Sequence, residues 1–212
     1  MSPETIRFFE RPAIVELLRH CKRDRYQPGA LLLQRDAPSQ WLYLLLEGSV
    51  SVLEDDEEGR ELILAYLNPG DFFGEMGLFG DTGRRSAWVR ARSHCRVAAI
   101  SYERFGQLQQ RAPQVLHPVI EQMTRRLRHT NRRFRDLAFE DVRSRVIATL
   151  DDLARQPDAM THPDGMQLKI TRIELGRLVG CSREMVGRVL KDLEDDRLIS
   201  AEGRRIVVRD AR

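Results

Sequence analysis

Residues 171–191 read TRIELGRLVGCSREMVGRVLK, and this stretch decides the fold of the C-terminal part of the chain. Thr171 and Glu174 have the spacing of a capping box, which begins a helix. Gly180 can take the left-handed conformation that ends this helix, and Ser182 can cap a second helix after a three-residue turn. Gly176 stands where the two helices would cross, and a small residue permits close approach there. The pattern predicts a helix-turn-helix, and the simpler alternative is an ordinary helical hairpin.

The exposed face of the second predicted helix carries side chains suited to reading bases. Helix-turn-helix proteins place the first turns of this helix in the major groove of DNA. An arginine can donate to O6 and N7 of guanine together, and a glutamate can accept from the amino group of cytosine. Phosphate contacts fix the register but carry no sequence information. The predicted DNA-binding residues are Thr171, Arg172 and Ser182 toward phosphates, and Arg183, Glu184, Arg188 and Lys191 on the outer face, with Arg183, Glu184 and Arg188 as base readers.

The flanks of this stretch favour DNA binding over a plain hairpin. Residues 198–208 (LISAEGRRIVV) predict a β-hairpin with a basic tip, which is typical of the wing of a winged helix. Upstream, Val142–Leu153 has the apolar spacing of an amphipathic helix. Residues 156–165 predict a loop with a tight turn, and Gln167–Ile170 alternates like a strand.

A longer helix is predicted before this segment, roughly from Pro113 to Ala138. Apolar or small residues recur in steps of four and three, which is a heptad seam. Such a seam predicts dimerisation, and the alternative is packing on the helix's own domain. Pro118 removes a backbone hydrogen bond, so the regular helix either begins near His117 or is kinked there. The seam consists of Leu116, Ile120, Met123, Leu127, Thr130, Phe134 and Leu137.

The N-terminal half has a different texture. Residues 12–20 predict a short helix that begins at a proline. From Tyr26 to about Ile100, short apolar runs alternate with turns such as Pro69–Gly70 and Thr82–Gly83, which predicts an antiparallel sandwich or barrel. The predicted strands are Leu31–Leu33, Leu42–Leu46, Ser49–Leu53, Leu62–Leu67, Trp88–Ala91 and Arg96–Ile100.

One patch of this half has the chemistry of a phosphate site: residues 70–79 read GDFFGEMGLF and residues 83–88 read GRRSAW. Glycines let backbone N–H groups approach an anion, and a short helix from Gly74 would point its N-terminus at the anion. Arg85 can fork onto two phosphate oxygens, and Ser86 can donate a third bond. Glu75 beside a phosphate must hold something else, and a ribose 2′-hydroxyl would satisfy it. Singly, Arg85 is more often a surface ion-pair partner and Gly74 more often a turn residue.

The composition narrows the class of protein. The 212 residues are 42% hydrophobic and 32% charged, which suits a globular protein. No apolar run is long enough for a bilayer and no secretory h-region is visible, so we expect a cytoplasmic protein with no membrane partner. The three scattered cysteines and the unclustered histidines predict no metal site. The β-rich half shows no nucleophile–base pair, so an enzyme is not expected.

Five strings carry a resemblance to a known family. They are YLNPGDF (66–72), GEMGLF (74–79), RSAWVRA (85–91), QPDAMTHPDG (156–165) and GCSREMVGR (180–188). From about residue 14 to the end, the chain resembles the family of the cyclic AMP receptor protein (catabolite activator protein). The resemblance implies an α+β fold with three parts: a jelly-roll-like cyclic-nucleotide-binding β-roll (residues 1–112), a long dimerisation helix (113–138) and a winged helix-turn-helix (139–212).

The resemblance also implies a ligand and roles for single residues. Cyclic AMP is the implied allosteric ligand, with Gly74 and Glu75 on ribose and phosphate, Arg85 and Ser86 on the cyclic phosphate, and Thr130 on the adenine amino group. Asn131 stands where the family usually has Ser or Thr donated from the partner subunit. Cyclic di-GMP, or binding of DNA without a ligand, remains the alternative. The implied ligand-binding residues are Gly74, Glu75, Met76, Arg85, Ser86, Thr130 and Asn131.

The implied partners are DNA, RNA polymerase and a second copy of the chain. A homodimer would bind a two-fold DNA site with half-sites resembling TGTGA. The loop Ala159–Gly165 resembles the surface that recruits RNA polymerase, and a plain solvent loop is the alternative. The implied polymerase contacts are Thr161, His162, Asp164 and Gly165.

Overall fold

The computed structural model describes residues 3–80 and 83–209. Three parts of the predictions lie outside the described residues: Thr82 of the predicted turn Thr82–Gly83, residues 1–2 of the predicted segment 1–112, and residues 210–212 of the predicted segment 139–212. The chain divides into two compact units. The first comprises Met1–Arg60 and Leu64–His129, and the second comprises Glu61–Ile63 and Thr130–Arg212.

Two four-stranded sheets form the frame of the N-terminal region, in the orders β1-β8-β3-β6 and β2-β7-β4-β5. The strand pairs run antiparallel, as in a jelly roll. Each predicted apolar run forms a strand, so the predicted fold class is confirmed. The elements are α1 (Pro3–Glu10), α2 (Pro12–Arg19), β1 (Lys22–Tyr26), β2 (Leu31–Leu33), β3 (Trp41–Glu47), β4 (Val50–Asp55), β5 (Glu61–Leu67), β6 (Phe72–Phe73), α3 (Met76–Phe79), β7 (Trp88–Ala91), β8 (Cys95–Ser101) and α4 (Tyr102–Arg111).

Strand β3 divides its side chains between two cores, because successive residues of a strand point to opposite faces. Leu42, Leu44 and Leu46 enter a core with residues of α2 and α4. Leu45 enters the core between the two sheets. The central position of β3 fixes the backbone of Trp41, which matters for the site below.

A 3₁₀ turn, Pro113–Leu116, precedes helix α5 (His117–Phe139). The prediction of one helix from Pro113 is therefore corrected: regular α-helix begins at His117, which was one of the two alternatives for Pro118. In the first turn of a helix the missing N–H of a proline removes no intrahelical hydrogen bond. Of the seam residues, Leu116 and Met123 pack against the core.

The second unit contains a three-helix region and a small sheet with the strand order β11-β12-β10-β9. The predicted loop 156–165 is wrong for Met160–His162, which forms a strand paired with β10 across the turn Pro163–Asp164. A three-residue strand is too short to show a period in sequence. The elements are α6 (Val142–Ala154), β9 (Met160–His162), β10 (Gly165–Lys169), α7 (Arg172–Val179), α8 (Arg183–Asp195), β11 (Ile199–Glu202) and β12 (Arg205–Arg209).

Candidate functional site

The structure brings five of the predicted ligand residues together in one site of the first unit. Gly74 follows β6 with φ +77°, Glu75 stands at the N-cap position of α3, and Met76 begins that helix. Arg85 and Ser86 precede β7 and meet these residues: Arg85 Nη1 donates to the carbonyl of Gly74 at 3.1 Å, and Ser86 Oγ donates to Met76 Sδ at 3.2 Å. A thioether is a weak acceptor, so the hydroxyl of Ser86 can turn to a phosphate oxygen at little expense.

Arg85 is the centre of this site, and its side chain is buried with only 6% of the residue exposed. Within the described residues, its guanidinium donates only to neutral acceptors: the carbonyl of Gly74, the hydroxyl of Tyr102 at 3.0 Å and the carbonyl of Trp41 at 2.9 Å. A buried cation without a counter-charge is unfavourable, so such a group attracts an anion. A Cβ on Gly74 would collide with Nη1 of Arg85. Glycine is favoured there by its positive φ angle, and a Cβ would also stand 3.0 Å from the carbonyl oxygen of Trp41.

Glu75 is also buried, and its partner is an arginine that the sequence did not single out. Its Oε1 accepts from Arg126 Nη1 at 2.6 Å, and Arg126 Nη2 donates to the carbonyl of Phe72. Gln122, one turn earlier on α5, bonds both the N–H and the carbonyl of Phe72 at 2.7 and 2.8 Å. The first turns of α5 are thereby fastened to β6. A buried carboxylate signals a missing cation, but the sequence could not say which arginine supplies it.

Thr130 and Asn131 lie on α5, and both are exposed. Thr130 follows Arg126 by one helical turn, so the two side chains share one face of the helix. The roles of Thr130 and Asn131 toward a ligand stay predictions.

The geometry of the predicted helix-turn-helix agrees with its capping signals. Thr171 Oγ1 accepts from the N–H of Glu174 at 3.1 Å, and Ser182 Oγ accepts from the N–H of Met185 at 3.2 Å. Gly180 ends α7 with φ +75°. A Cβ on Gly176 would stand 2.7 Å from the carbonyl oxygen of Cys181, so only glycine lets the turn pack this closely on α7.

The predicted base readers lie on the exposed side of α8. Glu184, Arg188 and Lys191 follow at intervals of four and three residues and form one stripe. Arg183 is exposed beside them, while the opposite side of α8 enters the core. Hydrogen bonds from its own N–H and from Ser182, together with Arg183 and Arg188, hold the pKa of Glu184 below its usual range. Glu184 is therefore an ionised acceptor at neutral pH. Arg172 is exposed at the start of α7.

The predicted wing is the hairpin β11–β12, which turns at Gly203 with φ +60°. Arg204 and Arg205 are exposed at its tip. The arrangement of α7, α8 and this hairpin is that of a winged helix.

The predicted polymerase contacts lie on the hairpin β9–β10. Thr161 and Asp164 are exposed, His162 is half-buried, and the N–H of Asp164 donates to His162 Nδ1 at 3.2 Å. Gly165 is buried, with φ +146°, so it shapes the turn and presents no side chain. Their role stays a prediction.

Known proteins match this chain over nearly its whole length. Residues 23–112 match the model of the cyclic nucleotide-binding domain, and residues 144–212 match the Crp-like helix-turn-helix domain. The CRP protein of Salmonella typhimurium is 54% identical over 93% of this chain and 94% of its own length. The Vfr protein of Pseudomonas aeruginosa is 53% identical over 91% and 92%. The chain belongs to the CRP family of transcriptional regulators.

The names of these CRP-family relatives describe two signals. CRP and Vfr are cAMP-activated global transcriptional regulators. Among solved structures, the regulator CLP of Xanthomonas campestris has a TM-score of 0.87 at 43% identity, and the match covers 94% of this chain and 99% of CLP. CLP is described as responsive to c-di-GMP. The family fold therefore serves more than one nucleotide.

Across residues 3–80 and 83–209, no helix combines the length and the hydropathy needed to cross a membrane. In the same part of the chain, no cluster of three or more His, Cys, Asp or Glu side chains is arranged to hold a metal ion.

Proposed function

We propose that this CRP-family protein is a cAMP-responsive, sequence-specific DNA-binding transcription regulator that acts as a homodimer. The proposal rests on the buried guanidinium of Arg85, which donates to neutral acceptors and would be stabilised by a bound anion. The same chain carries a winged helix with base-reading side chains on its exposed face. A chain that combines an anion-binding site with a DNA-binding domain is suited to regulate transcription in response to a ligand.

The donors and acceptors of Arg85, Ser86 and Glu75 support the ligand roles that we propose. Arg85 and Ser86 hold the cyclic phosphate, and Gly74 offers close backbone approach. Glu75 gives one oxygen to Arg126, while its Oε2 accepts no hydrogen bond from the described residues and can take a ribose hydroxyl. Met76 borders the phosphate through its contact with Ser86. Thr130, and Asn131 of the partner subunit, hold the adenine. The cAMP-activated relatives support this ligand over others.

The homodimer is supported by the seam of α5. Four of its apolar residues are exposed in the single chain, which is unfavourable for a stripe of this length unless another helix covers it. Dimerisation by this stripe puts two winged helices in one molecule. The exposed seam residues are Ile120, Leu127, Phe134 and Leu137.

The proposed DNA target follows from the symmetry of this dimer. Two recognition helices enter successive major grooves about one helical turn apart, so the site is a palindrome. Arg183, Glu184 and Arg188 read bases of half-sites resembling TGTGA. Thr171, Arg172, Ser182 and Lys191 complete the DNA contacts.

We propose the domain division 1–112, 113–138 and 139–212, with RNA polymerase touching the hairpin β9–β10 at Thr161, His162, Asp164 and Gly165. A chain that works on genomic DNA with RNA polymerase acts in the cytoplasm and is a regulator, not an enzyme. The relatives named above are transcription regulators.

A gel-shift experiment tests the function. The purified chain is mixed with a duplex carrying a palindromic TGTGA site, with no nucleotide, cAMP, cyclic GMP or cyclic di-GMP, and a scrambled duplex is the control. We expect a retarded band with cAMP on the palindrome only. The likeness to CLP makes cyclic di-GMP the second candidate, which a band with that nucleotide alone would establish. No band under any condition contradicts the proposal.

A further inference from the structure

The hydroxyl of Tyr102 joins three separate segments beside Arg85. It accepts from Arg85 Nη1 at 3.0 Å, donates to the carbonyl of Gly74 and lies within hydrogen-bond distance of Ser39 Oγ. A phenol has one proton to donate and two lone pairs to accept with. One bond donated to Gly74 and two accepted, from Arg85 and Ser39, use all of this capacity. The hydrogen-bonding capacity of this hydroxyl is therefore fully used by Arg85, Gly74 and Ser39.

The surroundings of Tyr102 are built to this contact. A Cβ on Gly77 would collide with Ser39 Oγ and would stand 2.8 Å from the Tyr102 oxygen, so a glycine leaves room for the pair of hydroxyls. The N–H of Tyr102 donates to the carbonyl of Gln40 at 2.9 Å. The start of α4 is thereby fastened next to Ser39 and Trp41.

The hydrogen bonds of Arg85 leave two of its N–H donors unused by the described residues. A guanidinium has five N–H donors. Nη1 gives one to Gly74 and one to Tyr102, and Nη2 gives one to Trp41. Nε–H and one N–H of Nη2 remain, and the described residues do not engage them. Two donors on neighbouring nitrogens suffice for a bidentate grip on a phosphate.

We propose that Tyr102 is a positioning residue for the phosphate grip of Arg85. It occupies Nη1, so that the guanidinium is held in one orientation with Nε and Nη2 left for the ligand. A long flexible side chain that is already ordered loses less freedom on binding, which raises affinity. The identity of the ligand rests on the proposed function, whereas the restraint on Arg85 does not.

The chain supplies a matched control in Tyr43. Its ring centroid lies 5.7 Å from Arg85 Cζ, and that of Tyr102 lies 5.9 Å away. Tyr43 stacks on Phe73, and its hydroxyl bonds none of the described residues. Tyr43→Phe and Tyr102→Phe thus each remove a phenolic oxygen from a ring whose centroid lies at a similar distance from Arg85 Cζ, but only the second removes a hydrogen bond to Arg85.

The first test needs no nucleotide. In the ¹⁵N-labelled full-length protein, a guanidinium held by three acceptors rotates slowly, and its Nη hydrogens give separate NMR signals. We expect separate signals for Arg85 in the wild type and in Tyr43→Phe, and averaged signals in Tyr102→Phe. Free rotation in the wild type, or separate signals that persist in Tyr102→Phe, would overturn the proposal whatever the ligand is.

The second test uses cAMP and its Rp and Sp phosphorothioate analogues, which carry sulfur on different exocyclic positions. The affinity ratio of the two analogues reports how the guanidinium meets the two oxygens. Tyr102→Phe is expected to weaken cAMP binding about ten-fold, which is about 1.4 kcal/mol, and to change the ratio, while Tyr43→Phe leaves the ratio as in the wild type. Melting curves monitor the fold, and equal weakening of all three ligands would mean a merely structural role. If the wild type binds no cAMP, the proposed ligand fails while the NMR result still decides the role of Tyr102.

Discussion

At the scale of single residues, two arginines use the same group in opposite surroundings. Arg85 is buried, and a bound anion would stabilise its positive charge. Arg188 is exposed on α8, where its charge is solvated and its fork is free to meet a base. The burial of a guanidinium, more than its presence, therefore separates the proposed ligand contact Arg85 from the proposed base reader Arg188.

Arg188→Ala is expected to weaken binding to the TGTGA palindrome by about 1–3 kcal/mol, because a bidentate contact with guanine is lost. Binding to unrelated duplexes should change little. The measurement is a titration by fluorescence anisotropy on both duplexes at one salt concentration. Arg172→Ala is the matched control: a phosphate contact predicts a similar loss on both duplexes. An equal loss for Arg188→Ala on every duplex would assign this arginine to the phosphates instead.

The sequence did not predict the site residues whose role depends on a tertiary contact. Gly74, Glu75, Arg85 and Ser86 all lie between positions 74 and 86, so their chemistry could be seen together. Arg126 is remote in sequence from its partner Glu75, and many other arginines could have served. Local patterns hold no signal for such a choice.

At the scale of elements, the strands that the sequence did not predict lie at sheet edges. β1 reads KRDRY and is an edge strand, where charged residues are tolerated and prevent pairing with other chains. β9 is also an edge strand. Helix α1, likewise unforeseen, is short and packs through Phe8 on Phe72 with ring centroids 6.3 Å apart. By contrast, the apolar strands, the caps of α7 and α8 and the wing were predictable, because their signals are local.

The cap of α6 gives the chain a pH-dependent element. Asp141 accepts from the N–H of Ser144 at 2.7 Å, and this bond holds the pKa of the carboxyl below its usual range. A depressed pKa in the folded state stabilises the fold above the unfolded value of about 3.9. This contribution is lost as the pH falls through the lower folded value.

Asp141→Ala is therefore expected to lower the free energy of unfolding at pH 7, and the difference from the wild type should shrink below about pH 4. Urea unfolding at a series of pH values measures this difference. Asp136→Ala, at a position within α5 that caps no helix, provides the comparison. A difference that is constant from pH 7 to pH 3 would show that the carboxylate charge contributes nothing to the cap.

The seam of α5 is the proposed dimer interface, and a charge placed in it should prevent dimerisation. Leu127→Glu would bury an unpaired charge in the proposed dimer, which costs about 3 kcal/mol or more, so the variant should be a monomer by analytical ultracentrifugation. Arg128→Glu changes the charge by more at an exposed position outside the seam, and it should remain a dimer. A dimeric Leu127→Glu would place the interface elsewhere.

At the scale of the whole molecule, the chain between the seam and the winged helix is short. α5 ends at Phe139 and α6 begins at Val142, so two residues separate the helices. We hypothesise that ligand binding lengthens α5 through this hinge and sets the spacing of the two recognition helices. Under this hypothesis, a small change in helix length at the two-residue link would change the orientation of the winged helix.

Because binding free energies are linked, a ligand that favours the DNA-competent arrangement must itself be favoured by DNA. We therefore expect cAMP to bind more tightly when the TGTGA duplex is present, by about 5- to 150-fold, the range typical of allosteric coupling. Calorimetric titration of cAMP into the protein, alone and saturated with duplex, measures the factor. A scrambled duplex at the same concentration controls for nonspecific charge effects. Equal affinity in both titrations would mean that nucleotide and DNA act on the molecule independently, and the hinge hypothesis would then be abandoned.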